Sequence, residues 1–420
     1  MDVRKENLRK IRGYYYGDRG ALYAGFLSRF KEPDVSAPLS MQSFIFQNEI
    51  AAIVTKRMSL VPLEPISFSV LLNGDEHEEL TKKLREWLAG PHFSDERGFA
   101  DFLAEVLLAL ELDGEAALKM IVRKGVPLVR RIPGEALEIH TNPENVFEIE
   151  ALEAQWSRTI ESDEGAHEAM IREVIDSGKY VFERDGQTKK QTHPFGFIPA
   201  VLVRREDVEG SVHGRSGVAD LMEPQDNLNR CLVNIARANK YGPWGLYCME
   251  EAGLPLPDGD IAVTPGALVG APIRKISGDG AAECLFREKE EVLDGMYRVA
   301  GLSRNKADEV AKSDRSSGKA MVILNAQGKR YVRNLLARLR RGIGQMCAKS
   351  LVMAGHVNSL DGLSVRVDFP ELDAEDPSVQ IQRATLLFEQ GFTDEGLRAL
   401  GYDDARIAQL VAGAKDKSNE

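Results

Sequence analysis

Four cysteines in 420 residues, Cys231, Cys248, Cys284 and Cys347, are few and widely spaced. That excludes a disulfide framework and a paired zinc site, and it reads as reduced, buried thiols of a protein made in the cytoplasm. No stretch approaches the roughly 18 consecutive apolar residues of a membrane helix. The best attempt, Leu60 to Leu72, is broken by Pro62, Glu64 and Pro65. The amino terminus is charged and no apolar segment follows it, so no signal peptide is expected. Internal repeats and low-complexity tracts are absent from the sequence, which argues against solenoids and linkers.

The motifs of common chemistries are missing as well. A phosphate-binding loop needs a leading glycine and a hydroxyl after its lysine, and Ser313-Asp314-Arg315-Ser316-Ser317-Gly318-Lys319-Ala320 has neither. After Gly278-Asp279-Gly280, Glu283 occupies the place of the third glycine of a dinucleotide fingerprint. Gly214-Arg215-Ser216-Gly217-Val218 approaches a nucleophile elbow but lacks its last glycine, and Ser216 reads better as a helix cap. Seven histidines are scattered without metal-ligand spacing. The expectation is a non-enzymatic protein with no cofactor and no metal.

What is present is ordinary globular composition, 43% hydrophobic and 28% charged, long enough for two or three domains. Lys plus Arg number 54 against 65 Asp plus Glu, a net charge of −11. A protein that grips nucleic acid normally carries the opposite balance. One span departs from it: from Arg315 to Leu360 there is no Asp or Glu. Lys329, Arg330, Arg333, Arg338, Arg340, Arg341 and Lys349 fall there, interleaved at helical spacing with Val332, Leu335, Leu336, Leu339, Ile343 and Met346. Such a helix with a one-signed polar face suits either an acidic partner surface, in this chain or a neighbour, or DNA phosphates. The former is favoured, because a salt network explains the charge imbalance equally well.

Along the chain, apolar periodicity predicts helices over 41–58, 76–88 and 99–112, with Phe102, Leu103, Val106, Leu107 and Leu110 on one face of the last. A strand over 66–72, three or four short strands over 116–158 and a strand pair over 170–206 complete an α+β body with one sheet. Helix follows over 214–240, then a Gly/Pro-rich segment to 280, helix over 287–300, a polar loop, and the longest helix, 318–353, with Gly328, Gly342 and Gly344 as kink points. A strand over 363–369 and small helices around 378–390 and 393–413 end the chain.

This order resembles the portal proteins of tailed bacteriophages, in which an α+β body leads into a helix, a β-containing insertion, a second helix, a polar loop and a very long helix. Tyr15-Tyr16-Gly17-Asp18 is similar to the family's N-terminal aromatic-Gly-acid cluster. His193-Pro194-Phe195-Gly196-Phe197-Ile198-Pro199-Ala200-Val201 resembles its Asn-Pro-x-Gly-x-Ile-Pro-Val stretch, with His in place of Asn. Gly214 to Leu221, with Gln225 and Asn229 beyond, resembles the opening of the first stem helix, and Phe388 to Tyr402 the family's ending.

The resemblance implies a wing (1–213), a first stem helix (214–240), a clip (241–286), a second stem helix (287–302), a tunnel loop (303–317), a long kinked wing helix with its strand (318–370) and a crown-like end (371–420). It implies a ring of about twelve subunits around a DNA channel at one capsid vertex, assembled in the host cytoplasm. Its partners would be the large terminase, a head–tail connector, major capsid and scaffolding proteins, and passing double-stranded DNA, with no membrane. Lys306, Lys312 and Arg315 are the channel-facing candidates. The competing readings are a nucleic-acid-processing enzyme that holds substrate with the basic helix, and a head-assembly protein without a channel.

Overall fold

The computed structural model describes residues 3–29, 44–93, 98–162, 165–241, 246–249, 273–276, 279–302, 304 and 318–370, with backbone alone at 160–162, 165–167, 240–241, 246–249, 273–276, 279–282, 318–327 and 329. Residues 1–368 form one compact unit and 369–420 a second. The loop 303–317 (Arg304 apart), most of 241–286 and the helices expected near 378–413 lie outside the described residues.

The aromatic N-terminal stretch is two helices, α1 (Val3–Tyr16) and α2 (Arg19–Arg29). Leu8, Ile11 and Tyr14 of α1 and Leu22 and Phe26 of α2 are buried at helical spacing, which is why this mixed-charge sequence is helical. The helix expected over 41–58 is α3 (Glu49–Ser59): Asn48 caps it by accepting from the Ala51 amide at 3.2 Å, so Phe44 and Ile45 precede the helix. Next come β1 (Ser67–Leu72), the short β2 (Asp75–Glu76), α4 (Glu78–Leu88) and α5 (Phe99–Asp113). The expected apolar face of α5 is buried throughout.

The body has three sheets among its described residues where one was expected. In the first, β1 pairs with β2 and with β13 (Leu363–Asp368), both antiparallel. In the second, β3 (Glu115–Arg123) lies between β4 (Val126–Ile132) and β10 (Ala200–Arg204). The third is a five-stranded meander: β5 (Leu137–Asn142), β6 (Asn145–Ser162), β7 (Gly165–Asp176), β8 (Lys179–Arg184) and β9 (Gln187–Thr192). Region 170–206 thus holds four strands instead of a pair, because β9 is polar on both faces and gives no apolar alternation. Ala117, Ile132, Leu137, Leu152, Ala154 and Ala200 form the core between the second and third sheets.

A single 3-10 turn, Ala219–Leu221, precedes α6 (Met222–Tyr241), so the helix expected from 214 begins eight residues later. Two antiparallel strands, β11 (Leu246–Met249) and β12 (Ile273–Ile276), follow, and α7 (Asp279–Val299) begins eight residues earlier than expected. The last of the described helices, α8, spans Gly318–Met353 as expected. Two of its glycines serve close approach: a Cβ on Gly342 would sit 2.4 Å from the Val203 side chain, and one on Gly344 2.7 Å from the Val365 carbonyl. The buried Leu336, Leu339, Ile343 and Met346 seat α8 on β10 and β13.

Candidate functional site

Helices α6 and α7 pack together as an antiparallel stalk. Its root is set by burial: Leu228 and Val233 of α6 and Leu293, Met296 and Ala300 at the end of α7 join α1, α2 and α3 in one core cluster. Val233 is the last residue of α6 in that cluster, so at its far end eight of the helix's 20 residues, about 12 Å, extend past it. Toward that end Cys284 and Phe286 are exposed, and β11 and β12 pair between the two helices.

The root is knitted by charge as well as by apolar packing. Three carboxylates at alternate positions where α5 passes into β3, Glu111, Asp113 and Glu115, are all buried. Glu111 Oε2 accepts from Arg57 of α3 at 3.0 Å. The same guanidinium donates to the Gly217 carbonyl at 3.0 Å, just ahead of α6, and to the Ala300 carbonyl at 2.8 Å, just after α7. Asp113 is held by Arg12 at 2.8 Å. Glu115 accepts from Arg4 and from the Gly214 amide at 3.0 Å, and His213 Nδ1 lies 2.9 Å from it. Arg205 joins Glu111 at 3.6 Å, and Tyr331 of α8 lies under both Arg57 and Arg205, 5.2 and 5.4 Å from ring centroid to guanidinium.

This arrangement explains the Gly214–Gly217 motif. The segment wraps the end of α5: Ser216 Oγ donates to the Glu111 carbonyl at 3.2 Å and accepts from the Val218 amide. Ser216 therefore caps a turn and not the stem helix, a correction that follows from the later start of α6. A Cβ on Gly217 would meet Glu111 Oε2 at 2.4 Å, so only glycine lets the chain pass the ion pair.

Gln225 and Asn229 are fully buried in the first turns of α6. Gln225 Oε1 accepts from the Glu49 and Ile50 amides at the start of α3, while its Nε2 donates to Gln47 O and to Asn229 Oδ1. Asp226, also fully buried, accepts from Tyr14 Oη at 2.6 Å and pairs with Arg29 at 2.8 Å. Burial outweighs both partners and holds its carboxyl above the usual range. Tyr297 of α7 donates to Glu49, and burial with that hydrogen bond pushes its phenol up to about 12. Both stalk helices are thus tied to the body by polar side chains, fully buried on α6 and partly buried on α7.

The basic helix divides along its length. Arg330, Arg333, Arg340 and Arg341 are exposed, and Arg338 forms an ion pair with Asp207. Arg204 is 3.4 Å from the same carboxylate. Burial raises Asp207, but the two arginines outweigh it and hold its carboxyl below the usual range. The Lys329 side chain, and Lys306, Lys312 and Arg315, lie outside the described residues. Lys349 does not share the polar face: it donates to the Ile198 and Ala200 carbonyls at 2.8 and 2.7 Å and lies over the Phe197 ring. Burial lowers its ammonium to about 8.

A lysine lowered in the fold binds its proton less tightly there than in the unfolded chain, so stability rises with pH between about 8 and the ordinary value of 10.5. Urea midpoints of wild type and Lys349→Met at pH 7.5 and 10 should show the wild type gaining on the variant, on the order of 1–2 kcal/mol. An unchanged difference between the two pH values would remove the buried ammonium.

A cleft of about 390 Å³ opens between α8, β10 and β6. Arg204, Arg338, Arg341 and Lys349 line it against a single carboxylate, Asp207. Among the described residues no group of three or more His, Cys, Asp or Glu side chains is placed to hold a metal ion. None of their helices is long and apolar enough to cross a membrane.

No protein-family model and no curated protein matches the chain. Solved structures do. A chain from the neck of an empty GTA particle, computed with C6 symmetry, aligns at a TM-score of 0.46 and 12% identity over 83% of this chain and 89% of that one. A chain from the virion of a native gene transfer agent particle aligns at 0.43 and 12%, over 90% and 98%. A chain from the neck of a native GTA particle, computed with C12 symmetry, aligns at 0.42 and 13%, over 86% and 90%.

Proposed function

We propose that this chain is the portal subunit of a tailed-phage-like particle, a non-enzymatic ring component through which double-stranded DNA enters and leaves a capsid. The observation that carries the reading is the stalk. An antiparallel helix pair, interrupted at its far end by a segment with its own strand pair, is anchored in an α+β body and followed by the longest of the described helices. That order supports a reading as wing, stem, clip, stem and long helix, to which the sequence motifs already point. The root supports it physically. A subunit that bears mechanical load needs the projecting pair fixed to its body, and buried, paired polar groups with defined geometry provide such fixing.

On this reading α6 and α7 are the stem helices and 242–278 the clip. Residues 303–317 form the tunnel loop, with Lys306, Lys312 and Arg315 facing the channel, and the exposed arginines of α8 serve subunit contacts. The clip would receive first a terminase and then a head–tail connector. Capsid and scaffolding proteins would meet the wing at the vertex, after assembly in the host cytoplasm. A net charge of −11 per subunit, repeated around a ring, repels phosphates and suits a conduit that must release its cargo.

Negative-stain electron microscopy with light-scattering mass on the same sample tests this. Rings with a hole wide enough for duplex DNA, at about twelve times the 46.5 kDa chain, are expected, from the protein alone or after co-expression with capsid and scaffold. A closed dimer or tetramer without a hole, under both conditions, overturns the reading.

A further inference from the structure

The third sheet does not end evenly. β5 pairs with β6 only up to Ala154, and β8 pairs with β7 only down to Ile171. Beyond them β6 and β7 continue as a two-stranded ribbon, from the pair Ser157↔Met170 to Ser162↔Gly165. These six pairs extend about 20 Å past the neighbouring strands. Among the described residues no strand pairs with either edge of this ribbon. Met170 is 52% exposed on it, and Ser157, Arg158, Thr159 and Glu168 are exposed too. A lone two-stranded ribbon is marginal in water and gains from a covering partner. The sequence around its turn is acidic: Glu161, Asp163, Glu164 and Glu168 against Arg158.

The cleft between α8, β10 and β6 is the cationic counterpart: Arg204 and Arg338 pair with Asp207, Lys349 sits on the Ile198 and Ala200 carbonyls, Arg341 is exposed beside them, and Phe147 and Leu152 give an apolar backing. Phe147 is 53% exposed, which leaves apolar surface for an occupant. The two features lie on one strand. Leu152 lines the cleft and Ser162 ends β6, ten residues on and about 33 Å away along an extended strand. While β6 stays paired with β7, the ribbon end cannot reach its own cleft.

We propose that the acidic β6–β7 ribbon of one copy docks in the cationic α8–β10 cleft of the next. The contact is head-to-tail, so each copy offers both a ribbon and a cleft, and repetition generates a ring or an open chain of subunits. It deepens the portal reading by naming one surface that joins neighbours, and it rests on that reading only for ring closure. Part of its strength is electrostatic and weakens with salt.

The test is disulfide trapping in the full chain, with the exposed Cys284 and the undescribed Cys248 side chain both replaced by serine. One chain carries Glu168→Cys and the other Arg341→Cys, each at an exposed position; they are mixed and oxidised. A covalent heterodimer from the mixture, and none from either chain alone, is expected. In the otherwise wild-type chain, Arg341→Glu or Glu168→Arg should each weaken self-association by about tenfold, and the two together should recover part of it. Thermal unfolding of each variant checks that the fold is unchanged.

Failure to cross-link at the highest soluble concentration, or single reversals that associate like wild type, overturns the docking. Electron microscopy of the same samples reports separately: rings without the cross-link leave the portal reading intact and remove only this contact.

Discussion

Glu111→Leu is expected to destabilise the protein by about 3–5 kcal/mol, the largest single-site effect in the body. The carboxylate is 1% exposed and its partner Arg57 5%, so removing the acid leaves a guanidinium with nothing to neutralise it. Exposed ion pairs elsewhere in the chain would change stability by at most about 1 kcal/mol on the same substitution. The double variant Arg57→Met/Glu111→Leu should lose less than the sum of the two single variants, because it leaves no buried charge alone. It should not return to wild type, since the Gly217 and Ala300 carbonyls also lose their donor. Urea unfolding of the four proteins measures this, and a single variant within about 1 kcal/mol of wild type would show that the pair is not what holds the root.

Particles built with a chain lacking residues 305–314 should assemble with a normal complement of that chain and lose most of their packaged DNA. The expectation follows from the proposed channel position of Lys306 and Lys312. The work of packaging would fall to a separate motor, leaving this segment to guide or hold the duplex. Nuclease-protected DNA per particle, divided by the amount of this chain per particle, is the measurement. Normal filling with a normal chain content would remove the segment from the DNA path.

Elements built on one strong period were legible. The stripe Phe102 to Leu110 gives α5, the acid-free span gives α8, and Leu363 to Asp368 gives β13, because each buries one continuous face. Where the local signal is weak, tertiary contacts decide. In 1–29 the charged and aromatic residues hide the stripe of Leu8, Ile11 and Tyr14, and the two helices form because that stripe has α3, α5 and α6 to cover it. Capping chemistry misled at 214: Ser216 suits a helix start, yet the tight wrap around Glu111 delays α6 to Met222. Gly342 and Gly344 read as weak points because sequence shows the missing side chain and not the strand that fills its place.

The buried charges were the hardest to see. Glu111, Asp113 and Glu115 are an alternating acidic run at a helix end, a common solvated pattern. Their partners Arg57, Arg12 and Arg4 lie 54 to 111 positions away, beyond any local pattern. The one sequence sign was that this run directly continues a fully apolar helix face, which leaves its acids no route to water. Lys349 misled in the opposite sense. Counted with the basic face, it sits a turn past Gln345 where α8 meets β10, and there the carbonyls of Ile198, just before the strand, and Ala200, at its start, take it.

Arg57 has a mechanical meaning. Its single planar group holds the chain just before α6 and just after α7, so the two ends of the stalk share one pivot. Neither helix can slide along the other at that end without breaking a hydrogen bond to the same guanidinium. A sideways push at the far end is therefore borne as a tilt of the pair about Arg57. The pair behaves as a lever hinged at the body, with Arg57 at its fulcrum.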